Sequence, residues 1–525
     1  MSIEVDVRLP KWDDEADVVV LGYGYAGAAS AIYAKDAGAK DVLILEKMPR
    51  LGGYSILSGG RVIGGNNYEN LLKYFKALCS ERTPDEVIEA QVEGLTKVFG
   101  YVDELCKVNN AKYKIFGVAA ADDVNIGNET RSSGATYPSL PGSESLKRLA
   151  ITEIPGFDGY PWLRTQYAGG LLMKVLEDNV NHRGVRVKYN TPSKELVTDA
   201  SGVVIGVKAK NNEKEIYVKA KKAVIIATGG FEANEWMKLQ FCEAKPIYTM
   251  GPSCNTGDGI IMAQKAGAAL WHMWHIHGSY GFKFPELKVG IRITPGGNRI
   301  ETRKIQWILV DKIRGERFMN EIHPAPQDTM HRPFEYFDPD IPDLHVPDFP
   351  RIPSWMIFDE PGRKIGPIAN PLSAYEEDAH EWSRDNSKEV EKGWILKAES
   401  LEELAEKIKV DAKRLKNTID RWNRFVDQGK DEDFDRPPGT MVSIKTPPFY
   451  AVQVWPIVTN TQGGPEHNAK QQIVDAFRKP IPRLYAAGEC GSFYGHLYQL
   501  AGNISECIIS GHIAGTNAAN ETPWC

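Results

Sequence analysis

None of the seven cysteines (Cys79, Cys106, Cys242, Cys254, Cys490, Cys507 and Cys525) stands in a C-x-x-C pair. That spacing argues against a c-type haem attachment, an iron–sulfur ligand run or a zinc knuckle. The expectation is free, mostly buried thiols in a reducing cytoplasm, which is also the expected location of the protein. No apolar run approaches the roughly 18 residues of a membrane span. The N-terminal stretch MSIEVDVRLPKWDDE has neither a basic n-region nor an apolar h-region, so no secretory signal is expected. Net charge is small, -6 at pH 7, which argues against a broad nucleic-acid or anionic-membrane surface. Internal repeats and low-complexity tails are absent too. What remains is ordinary for a soluble globular protein: 42% hydrophobic and 25% charged residues. At roughly 150 residues per domain, 525 residues allow two or more domains.

The first informative stretch is Ala16–Tyr23, ADVVVLGY. It is a largely continuous, β-branched apolar run, as expected of a parallel strand buried on both faces. It leads into Gly22-Tyr23-Gly24-Tyr25-Ala26-Gly27, then an alanine-rich helical pattern, then a second strand Asp41–Leu45 ending in Glu46. Gly22 permits the tight turn, Gly24 lets backbone N–H groups approach a pyrophosphate, and Gly27 lets the helix pack on the strand. The helix N-terminus then faces the phosphates with its positive end. Glu46 can accept hydrogen bonds from both ribose hydroxyls, and its charge disfavours NADP. On these residues alone the dinucleotide is NAD or FAD. Lys47, Gly52, Gly53 and Ser55, continuing to Ser58, Gly59 and Gly60, favour FAD. A second glycine-rich, serine-bearing stretch suits a longer ligand needing further backbone donors.

With these motifs and a series of later ones, the sequence resembles the flavoprotein family of soluble fumarate reductases, urocanate reductase and 3-ketosteroid dehydrogenases. The later landmarks include Val224–Phe231 (VIIATGGF), Asn255-Thr256-Gly257-Asp258-Gly259, Arg317-Phe318-Met319-Asn320-Glu321 and Trp355–Glu360. Thr461-Gln462-Gly463-Gly464, Leu484–Glu489 (LYAAGE) and Ala501-Gly502-Asn503-Ile504 complete the order. The resemblance implies an α/β protein with a discontinuous Rossmann-type FAD-binding domain, residues 1–271 and 459–525, and an α+β capping domain, residues 272–458. It adds Ala227, Thr228, Gly229, Gly257 and Asp258 to the cofactor site. Gly488 and Glu489 would contact the ribityl region, and Asn503, Ile504 and Ser505 would lie near the isoalloxazine at a helix N-terminus. Some relatives attach flavin to a histidine in the segment here spanning Gly53–Gly60. No histidine occurs there, so non-covalent FAD is expected.

The same resemblance shows what the active site lacks. Fumarate reductases place a histidine where Thr459 stands, an arginine where Gln499 stands, and an acid arginine after the N-E of R-F-x-N-E, here near Ala325. Without those cations a small dicarboxylate dianion would be desolvated at a cost of several kcal/mol. Ketosteroid dehydrogenases use tyrosines in these regions, and Tyr494 and Tyr498 flank the Gln499 position. The first candidates for proton exchange and carbonyl polarisation are therefore Tyr498, Tyr494 and Gln499, with His277 and Arg317 next. Arg317 has an equal alternative reading as a structural tie of the cap motif. The cap is rich in aromatics: Trp274, Tyr280, Phe282, Phe284, Trp307, Phe334, Tyr336, Phe337, Phe349 and Trp355. Most are expected in the core, yet they favour an apolar, ring-shaped substrate. His272, His275 and His277 cluster, with His275 and His277 on one face if extended; further metal ligands at suitable spacing are missing, so no metal is expected.

Elsewhere, Val185–Lys210 reads as a hairpin turning at 199–202, extended by Val203–Val218. Residues 118–165 read as a loop-rich excursion. Residues 401–427 read as helical, with Leu404, Ile408, Leu415, Ile419 and Trp422 on a buried stripe. The expected function is an FAD-dependent oxidoreductase acting on a carbon–carbon bond next to a carbonyl of a cyclic, fairly apolar small molecule. Electrons would pass to or from an external donor or acceptor, since only one dinucleotide fingerprint is present. The alternatives are an oxidase or hydroxylase using O₂, and a flavin-loaded binding protein with a degenerate site.

Overall fold

The computed structural model describes residues 10–116, 135–164, 168–212, 214–293, 304–322, 331–338, 349–369, 375 and 379–524. Its central feature is an eight-stranded sheet. Strand Asp14–Leu21 pairs in parallel with Val42–Leu45 on one side and Lys214–Ile226 on the other. Arg186–Lys188 and Pro480–Ala486 extend the parallel arrangement outward. Val18, Val19, Val20 and Leu21 are all fully buried, as a strand covered on both faces requires. Helices Tyr25–Asp36 and Gly502–Asn520 cover one face together. They touch closely at Gly515, where a Cβ would lie 2.3 Å from Ser30 O. Residues near both ends of the chain thus meet under one nucleotide-type fold.

A second, seven-stranded sheet is built around the long strand Phe449–Thr461. Ile276–Phe282, Ser354–Asp359, Leu396–Ala398 and the short Tyr248–Thr249 all pair with it. The core of this sheet holds Tyr280, Phe282, Phe284, Trp307, Phe334 and Phe349, whereas Trp274, Tyr336 and Phe337 are exposed. The last residues of Phe449–Thr461 stay paired with His277 and Ile276 while reaching neighbouring segments: Asn460 Nδ2 donates to Asn503 at the start of the C-terminal helix, and Thr461 N donates to Glu489.

Three details depart from the sequence reading. The hairpin is Ser193–Thr198 with Val204–Asn211, closed by Asp199 Oδ1 accepting from Ser201 and Val203. Arg186–Lys188 belongs instead to the parallel sheet. Within the segment read as loop, Lys147–Glu153 is a strand that pairs with Arg61–Gly64 and Lys112–Phe116; residues 117–134 and 165 lie outside the described residues. The stretch from 401 is two helices, Leu401–Ile408 and Ala412–Gln428. Lys409 is left-handed and Asp411 caps the second helix, but the buried stripe is continuous across the break.

Candidate active site

The nucleotide end is formed by the first strand, turn and helix. Gly22 has φ +100, and a Cβ there would lie 2.5 Å from Ala227 O. At Gly27 a Cβ would lie 2.0 Å from Gly22 O. Only glycine allows the strand, turn and helix to close this tightly. Helix Tyr25–Asp36 starts at Gly24 with no side-chain cap and no acidic residue in its first turn. Its N-terminal dipole therefore faces an anion site without an internal charge, although Tyr25 N is taken by Ser55 Oγ. Ala26 lies beneath Gly488, whose Cβ would be 2.7 Å from Ala26 Cβ.

Glu46 is held in place by two amides, Oε2 accepting from Tyr23 N and Oε1 from Met48 N, both at 2.7 Å. Each oxygen keeps a second lone pair for a ribose hydroxyl. Burial pushes the Glu46 carboxyl up, and those amide hydrogen bonds oppose the shift. Lys47 is paired with Asp258 at 2.9 Å and bonds Thr256 Oγ1 at 2.8 Å. Gly257, with φ +72, opens the helix that carries Asp258.

The second glycine stretch wraps over the first helix. Gly52 N donates to Tyr23 O at 2.8 Å, and Ser55 Oγ accepts from Tyr25 N at 3.1 Å. Ser58 Oγ lies 3.2 Å from Tyr25 Oη and accepts from Gly60 N. Gly53 O accepts from Tyr375 Oη at 2.7 Å, a contact from beyond the first sheet, while Gly59 is exposed. Ala227 N donates to Leu21 O; Thr228 Oγ1 points at Cys490 Sγ, and Gly229 is left-handed.

The opposite end is assembled from the two sheets and the C-terminal helix. Gly488 N donates to Ser510 Oγ, and Glu489 Oε1 accepts from Thr461 N at 2.9 Å. Ser505 both accepts from Ile63 N and donates to Ile63 O, so its hydroxyl is committed to the scaffold. Ile504 is nearly buried beside it.

Four of the five catalytic candidates cluster here. Tyr498 packs on His277 with ring centroids 4.4 Å apart and on Tyr494 at 5.0 Å. Its Oη accepts from Asn503 N at 3.3 Å. Burial raises the Tyr498 and Tyr494 phenols well above their usual range, so both stay protonated donors. Tyr494 Oη packs against Gly502, where a Cβ would lie 1.9 Å away. Gln499, fully buried, turns to the scaffold: Oε1 accepts from Tyr74 Oη at 2.6 Å and Thr136 N at 2.8 Å, and Nε2 donates to Leu500 O. Thr459 Oγ1 points to Met250 Sδ. Ala325 lies outside the described residues.

The fifth candidate is not in this cluster. Arg317 is fixed by Glu321 and Asp431, with distances of 2.9 Å to each, and stacks on Trp422. Its guanidinium is saturated by a buried network that also contains Arg436, so the structural reading of Arg317 replaces the catalytic one.

The histidine cluster divides by role. His272 lies with its ring nitrogens 2.9 and 3.0 Å from Ser492 O and Arg82 O, and burial lowers its pKa. His275 Nδ1 is 2.8 Å from Tyr494 O, supporting that tyrosine's backbone. His277 Nδ1 is 2.6 Å from Asn460 Oδ1. Asn460 Nδ2 in turn donates to Asn503 Oδ1, and Asn503 Nδ2 donates to Glu506 Oε2 at 2.8 Å. Asn460, Gln462, Glu506, Glu232, Tyr54 and Tyr74 were not singled out from sequence. The available signals were slight: Asn460 precedes the T-x-G-G stretch, and Glu506 stands one helical turn after Asn503. Among the described residues, no three His, Cys, Asp or Glu side chains gather as a metal site. No described helix is long and apolar enough to cross a membrane.

The residues fit FAD at both ends. A helix N-terminus with no acidic residue in its first turn and Glu46 suit the adenosine diphosphate, and two buried polar atoms without hydrogen-bond partners, Tyr54 Oη and Glu232 Oε2, mark the other end. Comparison with known proteins agrees. A family described as FAD binding domain matches residues 17–504. Urocanate reductase of Eggerthella lenta is 29% identical over 512 residues, covering 96% of this chain and 75% of that protein. A 3-oxosteroid 1-dehydrogenase of Mycolicibacterium smegmatis is 27% identical, covering 96% and 97%. The fold resembles the 3-ketosteroid Δ1-dehydrogenase of Sterolibacterium denitrificans with a TM-score of 0.76 at 22% identity, covering 96% of this chain and 99% of that one. The chain belongs to this FAD-binding family and is an FAD-dependent oxidoreductase of the fumarate reductase and ketosteroid dehydrogenase kind, acting on CH–CH or C=C bonds.

Proposed function

We propose that the protein acts on a carbon–carbon bond next to a carbonyl in a cyclic, fairly apolar small molecule, not on a small dicarboxylate. The observation that carries this reading is the set of neutral side chains at the substrate end. Thr459 faces a methionine sulfur, and Gln499 is locked by two donors, so neither position offers a cation to a carboxylate. Aromatic surface from Tyr494, Tyr498 and His277 stands beside them.

FAD, bound non-covalently, supplies hydride exchange at the substrate carbon. The chain supplies the rest. Tyr498 is the proton donor in the reductive direction, its phenol held protonated by burial and aligned by Asn503 N and the His277 ring. His277 is oriented by Asn460, and the amides that open the C-terminal helix favour negative charge on the cofactor. Gly22, Gly24, Ala26, Gly27, Glu46 and the Gly52–Gly60 stretch hold the adenosine, pyrophosphate and ribityl portions. Residues 1–271 with 459–525 form the cofactor domain and 272–458 the cap, with strand Tyr248–Thr249 lent to the cap sheet. Electrons are exchanged with an external donor or acceptor.

The test is Tyr498→Phe in anaerobic single-turnover kinetics with a reactive cyclic ketone. Loss of a positioned acid–base group lowers the hydride-transfer rate by about 10²–10⁴-fold with the FAD spectrum retained. An unchanged rate removes Tyr498 from the mechanism.

A further inference from the structure

Glu232 is a fully buried carboxylate for which the reaction outlined above has no role. Its Oε1 accepts from Asn255 Nδ2 at 2.6 Å, while Oε2 is buried without a hydrogen-bond partner. Thr461 Oγ1 is close enough to favour the ionised carboxyl but stands outside hydrogen-bond geometry; it accepts instead from Phe231 N at 3.0 Å. Glu489 faces Glu232 across Gly230. A Cβ on Gly230 would lie 2.7 Å from Glu232 Oε2 and 2.8 Å from Glu489 Oε1, so the two carboxylate oxygens flank one point.

Two ionised carboxylates flanking one buried point repel strongly. The surroundings offer little relief. Lys238 acts on Glu232, yet its ammonium is bonded to Glu235 at 2.8 Å and Ile247 O at 2.7 Å. Tyr54, whose buried Oη has no hydrogen bond, faces both carboxyls, with Arg292 acting on it from the cap sheet. Cys254 also lies on the Glu232 side. Glu489 is faced by Glu506, Tyr498, Cys490 and Cys507, none of them a cation. Burial followed by mutual repulsion pushes the Glu489 carboxyl up, and burial pushes Glu232 to about 7.

We propose that Glu232 and Glu489 share one proton at neutral pH, and that the pair takes up a second when the cofactor is reduced. Glu232 is thus a positioning residue that sets the proton-to-electron ratio of the flavin through Glu489. The step balances. Two electrons and one proton delivered by the reductant and solvent add one negative charge to the cofactor. A second solvent proton forms a carboxyl O–H bond in the pair, and the net charge of the site is unchanged. No heavy-atom bond forms or breaks in the pair. Glu489 lies at the end of the cofactor site and Glu232 one residue beyond the VIIATGGF turn, so the effect requires FAD but no particular substrate.

The test uses the FAD-loaded protein. Its midpoint potential is measured against pH by anaerobic dithionite titration with reference dyes, and reduction-induced infrared difference spectra are recorded alongside. The wild type near neutrality takes up two protons per two electrons and gains a protonated-carboxyl carbonyl band on reduction. In Glu232→Gln the amide donates to Glu489 and keeps it ionised; proton uptake falls to one, the slope of potential against pH halves, and the band is lost. An unchanged slope in Glu232→Gln with FAD bound overturns the proposal. So does loss of the second proton in Glu506→Gln instead, because Glu506 is also raised to about 7. If Glu232→Gln fails to hold FAD, the wild-type spectrum decides: no new protonated-carboxyl band on reduction refutes the shared proton.

Discussion

Replacing Glu321 with Gln probes the assignment of Arg317 to the cap scaffold. Glu321 is fully buried and accepts from Arg317 Nε at 3.2 Å and Nη2 at 2.9 Å, from Arg436 Nη1 at 3.0 Å and from Leu309 N at 3.0 Å. With Asp431 the network holds two cations against two carboxylates, and the substitution leaves one cation uncompensated. Breaking a buried pair in this way costs about 3–5 kcal/mol. The lower end applies, because Asp431 still grips Arg317 at two points and Arg436 keeps Trp307 O and Ile305 O. A loss of about 3 kcal/mol in a unit of this size lowers Tm by roughly 6–12 °C. Thermal unfolding followed by tryptophan fluorescence reads it, since Trp307 and Trp422 lie at the network. The arginines depress the Glu321 carboxyl against its burial. Its stabilisation is therefore present above the unfolded pKa near about 4.3 and lost as pH falls through the folded value. The gap between the two proteins must narrow in acid. Hydride transfer in the folded variant stays near wild type. A variant with unaltered unfolding but lost turnover would refute the reasoning and return Arg317 to the chemistry.

Gln499→Arg, which restores the dicarboxylate-type residue, is expected to destabilise the protein without conferring fumarate turnover. Tyr74 Oη and Thr136 N would then point donors at a buried guanidinium; a stable variant that reduces fumarate contradicts this. Gly27→Ala forces its Cβ to within 2.0 Å of Gly22 O, and the purified protein should lose its flavin absorbance while retaining helical circular dichroism; full FAD occupancy is the contrary result. Burial raises Glu506 from 4.5 to about 7. Its contribution to stability is present below the unfolded pKa and disappears as pH rises through the folded one, roughly 3 kcal/mol in all. Glu506→Gln should flatten denaturation midpoints across that window, and an unchanged pH profile speaks against it.

The cofactor end was legible in sequence because its chemistry is local. One strand, one turn and one helix place Gly22, Gly24 and Gly27, and Glu46 ends the next strand. The substrate end was less legible because it is made of distant segments. His277, Asn460, Tyr498 and Asn503 meet only when the end of the strand Phe449–Thr461, paired with His277, reaches the C-terminal helix. Sequence named the tyrosines and His277 but could not show that Gln499 faces Tyr74 or that Arg317 faces Asp431. Both are polar residues whose roles depend on a partner remote in sequence. Glu232 passed unnoticed since a single acid after a glycine turn carries no pattern; its meaning comes from Glu489. The strand Lys147–Glu153 was hidden by proline and glycine on both flanks, and the break before Ala412 by an apolar stripe that stays in phase across it.

The most direct test of the proposed function is an anaerobic screen of the yellow protein against saturated and unsaturated cyclic ketones, steroids, aryl acrylates and fumarate, read at the flavin absorbance. A cyclic ketone or steroid should bleach the oxidised flavin, or a cyclic enone should restore the colour of the reduced one, while fumarate leaves both spectra unchanged. Reoxidation by fumarate alone would contradict the reading of Thr459 and Gln499 and the apolar, carbonyl-bearing substrate built on it.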